Sequence, residues 1–229
     1  MSTAYKMTEI AGIRCRIAGS DGDVPLLIWA AGGHEQDSFE KVFEKTAVSG
    51  IPFQLISFEV SDWNRELSPW YAPPVFGNEP FSGEGAQTLD RLRDSLIPQL
   101  SAGRTSPIFI GGYSLAGLFS LWALYQTPAL TGAAACSASL WFPDWDSFSE
   151  HRTLPANKLL YLSLGDREEH TRNRILCRVG DAVRAQYARS VEALGTNRCT
   201  LEWNPGGHFN DPEGRLAKGF AWLLEHSAS

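Results

Sequence analysis

Three short stretches carry residues able to do chemistry together. IFIGGYSLAG, residues 108 to 117, places Ser114 between an apolar run and a small-residue segment that continues as LFSLWALY. KLLYLSLGDREEH, from 158, ends an apolar run in Gly165 and follows it with Asp166, Glu168 and Glu169. NPGGHF, from 204, sets His208 behind two glycines. A serine, a carboxylate and a histidine in that chain order are the parts of a hydrolytic triad. The histidine takes the serine's proton, and the acid holds the imidazole in the required tautomer.

A G-x-S triplet is common, so its placement decides its meaning. Gly112-Tyr113-Ser114 follows a buried-strand pattern at once and opens a helical one, the context of a nucleophile elbow. The alternative is that Ser114 only caps a helix. The strict motif has Gly two positions after the serine, whereas this chain has Ala116 and then Gly117. Of the five histidines, His34 follows an early strand, His151 and His170 lie in polar stretches, and His226 is near the C-terminus. His208 alone follows the carboxylates on a glycine-rich loop, and is the candidate base.

Elements able to position such residues are legible as β-rich apolar runs alternating with helical periods, the pattern of an α/β sheet with crossover helices. Strands are expected at 24 to 30, 53 to 60, 107 to 112, 132 to 140, 158 to 165 and 199 to 206. Helices are expected between them, with Leu89, Leu92, Leu96 and Leu100 on one stripe. TEIAGIRCRIAG, near the start, is expected to add an antiparallel edge strand. Residues 61 to 85, with four prolines and five aromatics, break the alternation. That length predicts a functional loop or lid, or an irregular flap stapled down by its own rings.

Taken together, the serine, strand-end and histidine motifs resemble the esterase branch of the α/β-hydrolases, which includes feruloyl esterases, S-formylglutathione hydrolases and siderophore esterases. DWNRELSPWYAPPVF, before the elbow, is similar to the corresponding segment of the siderophore-esterase-like members. The resemblance spans about residues 24 to 225. It implies an α/β-hydrolase fold, a mostly parallel sheet with helices on both faces, and ester hydrolysis without a cofactor or metal. It places the acid three residues beyond the strand-terminal glycine, at Glu168, with Asp166 second and Glu169 adjacent. The oxyanion hole falls to the N–H of Leu115 and one from the loop after the first parallel strand, with Gly32, Gly33 and His34 as candidates. Trp63, Trp70, Tyr71 and Phe76 are candidate walls for an acyl or aryl pocket, or packing residues of the flap.

The chain's 229 residues suit one domain, 1 to 229. A net charge of −6 supplies no basic footprint for nucleic acid. MSTAYKMTEI lacks the apolar core of a secretory leader and no run is long enough to span a membrane, so a cytoplasmic monomer or homodimer is expected. Cys15, Cys136, Cys177 and Cys199 form no C-x-x-C pair and read as mostly buried thiols. A thioesterase or acyltransferase would use the same triad, and a non-catalytic binding protein is the reading from another class.

Overall fold

Apolar runs too long to be half-exposed need cover on both faces, and a parallel sheet flanked by helices supplies it. The computed structural model describes residues 5–32, 36–75 and 77–227. In chain order these form β1 (Lys6–Ile10), β2 (Ile13–Gly19), β3 (Leu26–Gly32), α1 (Gln36–Ala47), β4 (Gln54–Val60), α2 (Trp63–Glu66), β5 (Tyr71–Ala72), β6 (Phe81–Ser82) and α3 (Gly85–Arg91). After a π-helical turn at Leu92–Leu96 come α4 (Ile97–Leu100), β7 (Ile108–Tyr113), α5 (Leu115–Gln126), β8 (Gly132–Cys136), α6 (Trp145–Glu150), β9 (Leu159–Gly165), α7 (Val179–Leu194), β10 (Cys199–Asn204) and α8 (Pro212–Ser227).

Eight strands make one sheet in the order β1-β2-β4-β3-β7-β8-β9-β10, parallel from β4 to β10 with β1 and β2 antiparallel at one edge. The chain leaves β3 for β4 on one side and later returns through β7 on the other. Loops from neighbouring strands diverge at such a switch point, which opens a crevice at the carboxyl ends. Two apolar layers sandwich the sheet. One gathers Ile28, Ile110, Leu118, Phe119 and Leu162, and the other gathers Trp29, Phe39, Phe109, Leu216 and Phe220.

Three details depart from the sequence reading, each for a local reason. TEIAGIRCRIAG makes a hairpin and not a single edge strand, because Ala11 and Gly12 both take positive φ (54° and 74°) and form a two-residue turn. The strand expected over 132 to 140 stops at Cys136, where Ser137 swings to φ 43°. Around the leucine stripe the helix widens into its π turn just ahead of Pro98, which has no N–H to donate back to Asp94. Among its described residues, the long segment 61 to 85 contains only the one-turn α2, the short β5–β6 pair and, at its last residue, the start of α3. Its Trp70 packs against Phe142 and Phe148 and donates from Nε1 to the Pro143 carbonyl at 2.9 Å.

Candidate active site

The pairings Tyr113↔Cys136, Cys136↔Ser163 and Asn204↔Gly165 align the carboxyl ends of β7 to β10. Whatever follows each strand therefore projects from the same edge of the sheet. Ser114 follows β7 at once with φ 58° and ψ −120°, and α5 starts at the next residue. Such a backbone costs a non-glycine residue about 1–3 kcal/mol and persists only where the surroundings impose it. Ser114 occupies the N-cap position of α5, yet its side chain makes no capping hydrogen bond. Its hydroxyl faces that of buried Ser139, 3.4 Å away, and its carbonyl accepts from the Ser139 N–H at 3.1 Å.

Close approach at the elbow is made by Gly112. A Cβ there would stand 2.4 Å from the backbone carbonyl of Ala116 and 2.7 Å from its methyl. The methyl that departs from the strict motif thus occupies room that Gly112 vacates. Gly117 is pressed likewise, with the Cys136 and Gly112 carbonyls 3.0 and 3.1 Å from where its Cβ would be.

The three carboxylates after β9 have three different partners. Asp166 Oδ1 accepts from the Gly206 N–H at 2.8 Å and pins the histidine loop. Glu169 forms an ion pair with Arg184 on α7 at 2.7 Å. Glu168, with 4% of its side chain exposed, meets His208 Nδ1 at 2.7 Å through Oε2. Its Oε1 accepts from Ser137 Oγ at 2.7 Å, the Gly165 N–H at 2.7 Å and Arg215 at 2.8 Å. Burial pushes the Glu168 carboxyl up, but the bonds from His208 and Ser137, His208's charge and the Gly165 N–H outweigh it and hold the group below its ordinary value. An ionised carboxylate only accepts, so Nδ1 carries the proton and Nε2 is left as the basic nitrogen.

His208 is held against the elbow by Tyr113, the residue before Ser114. The two rings lie 5.2 Å apart, and the Tyr113 hydroxyl donates to the His208 carbonyl at 2.5 Å. Burial pushes the Tyr113 phenol up to about 12, so it stays a neutral donor. On the outer side Phe209, 90% exposed, sets its ring edge-on to the imidazole at 5.2 Å.

Leu115 opens α5, and its N–H belongs to the helix's first turn, where donors lack intrahelical acceptors. Gly32 closes β3 opposite Val60, while Gly33 and His34 lie outside the described residues. Trp63 and Trp70 are partly buried against the core, Tyr71 is exposed on β5, and Phe76 lies outside the described residues. An open cavity of about 450 Å³ is walled by residues that include Leu140, Trp141, Phe142, Trp145, Arg178 and Arg189. Trp63, Trp70 and Tyr71 do not line it. Ser137, Ser139, Tyr113 and Arg215 escaped the sequence reading. The available signal was an arginine in the otherwise uncharged run of Gly214, Leu216 and Ala217. Among the described residues no cluster of three or more His, Cys, Asp or Glu is arranged to hold a metal ion.

No protein-family model and no curated protein sequence matches the chain. Solved structures do. An IroE-like serine hydrolase from Shewanella oneidensis aligns over 97% of this chain and 80% of its own, at TM-score 0.80 and 15% identity. Siderophore hydrolase EstA from Aspergillus nidulans aligns over 99% and 95%, at TM-score 0.71 and 17% identity. The Pyrococcus furiosus esterase Pf2001 aligns over 98% and 93%, at TM-score 0.62 and 15% identity. With its parallel sheet, its strained serine turn and these neighbours, the chain has the α/β-hydrolase fold.

Proposed function

We propose that the protein is a serine hydrolase of small carboxylic esters, with Ser114 as nucleophile, His208 as base and Glu168 as the acid that orients it. The observation that carries this reading is the pairing of buried Glu168 with His208, whose loop is bonded to Tyr113, the residue before an elbow serine with its backbone at φ 58°. A structural serine at this turn would gain nothing from such strain, and a surface histidine would have no need of a carboxylate with 4% exposure. That the neighbouring structures are named esterases and hydrolases supports the same class of chemistry.

In the first step Ser114 Oγ turns from Ser139, gives its proton to His208 Nε2 and attacks the ester carbonyl. The N–H of Leu115 and one from the loop at Gly32 and Gly33 receive the oxyanion. His208 then passes the proton to the departing alcohol, which leaves an acyl group on Ser114. Water, deprotonated by His208, releases the acid and restores the serine. Through both steps Glu168 stabilises the imidazolium without itself taking a proton. The exposed ring of Phe209 offers an apolar rim to the alkyl or aryl part of the ester.

Labelling with a fluorophosphonate followed by peptide mass mapping tests the assignment. The label is expected on Ser114 and nowhere else, and Ser114→Ala should lower kcat on p-nitrophenyl esters by more than about 1,000-fold. Full activity in that variant, or labelling at another serine, would remove Ser114 from the mechanism. Thioester and amine-acceptor assays run alongside separate ester hydrolysis from thioesterase and acyltransferase use of the same triad.

A further inference from the structure

The steps above leave Arg215 unused, although its side chain is 2% exposed and lies against the site. Nη1 donates to Glu168 Oε1 at 2.8 Å, to Ser137 Oγ at 3.0 Å and to the Tyr113 hydroxyl at 3.1 Å. Nη2 donates to the carbonyls of Gly207 and Pro205 at 3.0 and 3.2 Å. These acceptors sit at the end of β7, just after β8, in the turn after β9 and in the loop after β10. One guanidinium thus bonds to the acid, to the residue before the nucleophile and to two carbonyls of the stretch leading into the base.

A plain buried ion pair would aim the fork at one carboxylate, which is the strongest contact a guanidinium makes. Here the fork is divided, one arm on the carboxylate and hydroxyls and the other on backbone carbonyls. Moving any one of the four segments would leave a buried N–H or acceptor unpaired, which is costly. We propose that Arg215 is a positioning residue of the triad, locking Glu168 and the His208 loop in one frame. The proposal rests on the hydrolase reading.

The experiment compares Arg215→Met and Arg215→Lys with the unsubstituted protein on p-nitrophenyl butyrate at pH 8, with circular dichroism to confirm the fold. Arg215→Met should lower kcat roughly 100-fold with KM changed less than about threefold. Arg215→Lys keeps the charge but cannot serve five acceptors, so its kcat should stay about tenfold low. Folded variants with unchanged kcat, or an effect on KM alone, would overturn the proposal. Should Arg215→Met not fold, an Arg215→Lys protein with undiminished kcat overturns it equally. Proton NMR of the resting protein separates this from the hydrolase reading. The low-field resonance of His208 Nδ1–H should be present in the parent and lost in Arg215→Met, whether or not any ester is turned over, and its persistence in the variant would sink the positional claim.

Discussion

Glu168 and Glu169 are chain neighbours of the same type, and their surroundings part them completely. Glu169 meets Arg184 on the surface, where the arginine side chain is 46% exposed and such pairs contribute at most about 1 kcal/mol. Glu168 is enclosed by His208, Ser137, Gly165 and Arg215. Replacing Glu168 by Gln offers His208 Nδ1 an amide donor, which favours the wrong tautomer, so kcat should drop about 10³–10⁴-fold with little change in KM. Glu169→Gln should leave kcat within about twofold, and steady-state kinetics on both variants checks the contrast. The placement of Ser114 and His208 after strands was readable in the sequence because each stands close to glycines at a strand end. The choice among Asp166, Glu168 and Glu169 was not, since all three fall within one turn and only the fold of that turn decides which faces the imidazole. Arg215 was hidden because its three side-chain acceptors lie 102, 78 and 47 positions away along the chain.

The elbow joins β7 to α5, and both elements are buried on every side, from Ile108 to Gly112 and from Leu115 to Leu124. Continuous burial made them legible as a central strand and a core helix, because an unbroken apolar run has few other places to go. The β1–β2 hairpin was less legible because its turn pairs a non-glycine residue, Ala11, with positive φ, which residue type does not announce. Ala116 had been the flaw in the motif, and the packing reverses that judgement. Its methyl fills the space opposite Gly112, so the small residue that the turn requires is at 112. Gly112→Ala should cost about 1–3 kcal/mol of stability and displace the serine, with a large fall in kcat. Ala116→Gly restores the strict motif, yet should cost about 1 kcal/mol through helix propensity and leave kcat unimproved. Urea titrations paired with initial rates measure both, and a faster Ala116→Gly enzyme would contradict the packing argument.

Across the whole molecule, carboxyls and thiols shifted by the fold set two edges of pH stability. Glu168, Glu202, Asp211 and Glu213 are each pushed up by burial, and are drawn below their ordinary values by stronger bonds, among them those from His208, Lys218, Lys45 and Ser38 respectively. A carboxyl depressed in the folded state binds fewer protons there than in the unfolded chain. Its contribution is therefore complete above the unfolded value near 4–4.5 and is lost as pH falls through the folded one. The net shift is opposite for the thiols, where burial prevails and raises Cys15 to about 11 and Cys136 and Cys199 to about 12. Their contribution is complete below the ordinary value of 9.0 and is lost as pH climbs from there toward the folded values. Thermal melts in reducing buffer should therefore show a plateau between about pH 5 and 8, falling below about 4.5 and again above about 9. The two edges have separate origins and can be moved separately. Cys136→Ala and Cys199→Ala together should flatten the alkaline fall while lowering the plateau through lost packing. A Tm that held steady from pH 9 to 10.5 in the parent protein would mean the thiols ionise without opening the core, against the burial that keeps Cys136 and Cys199 within 1% of complete enclosure.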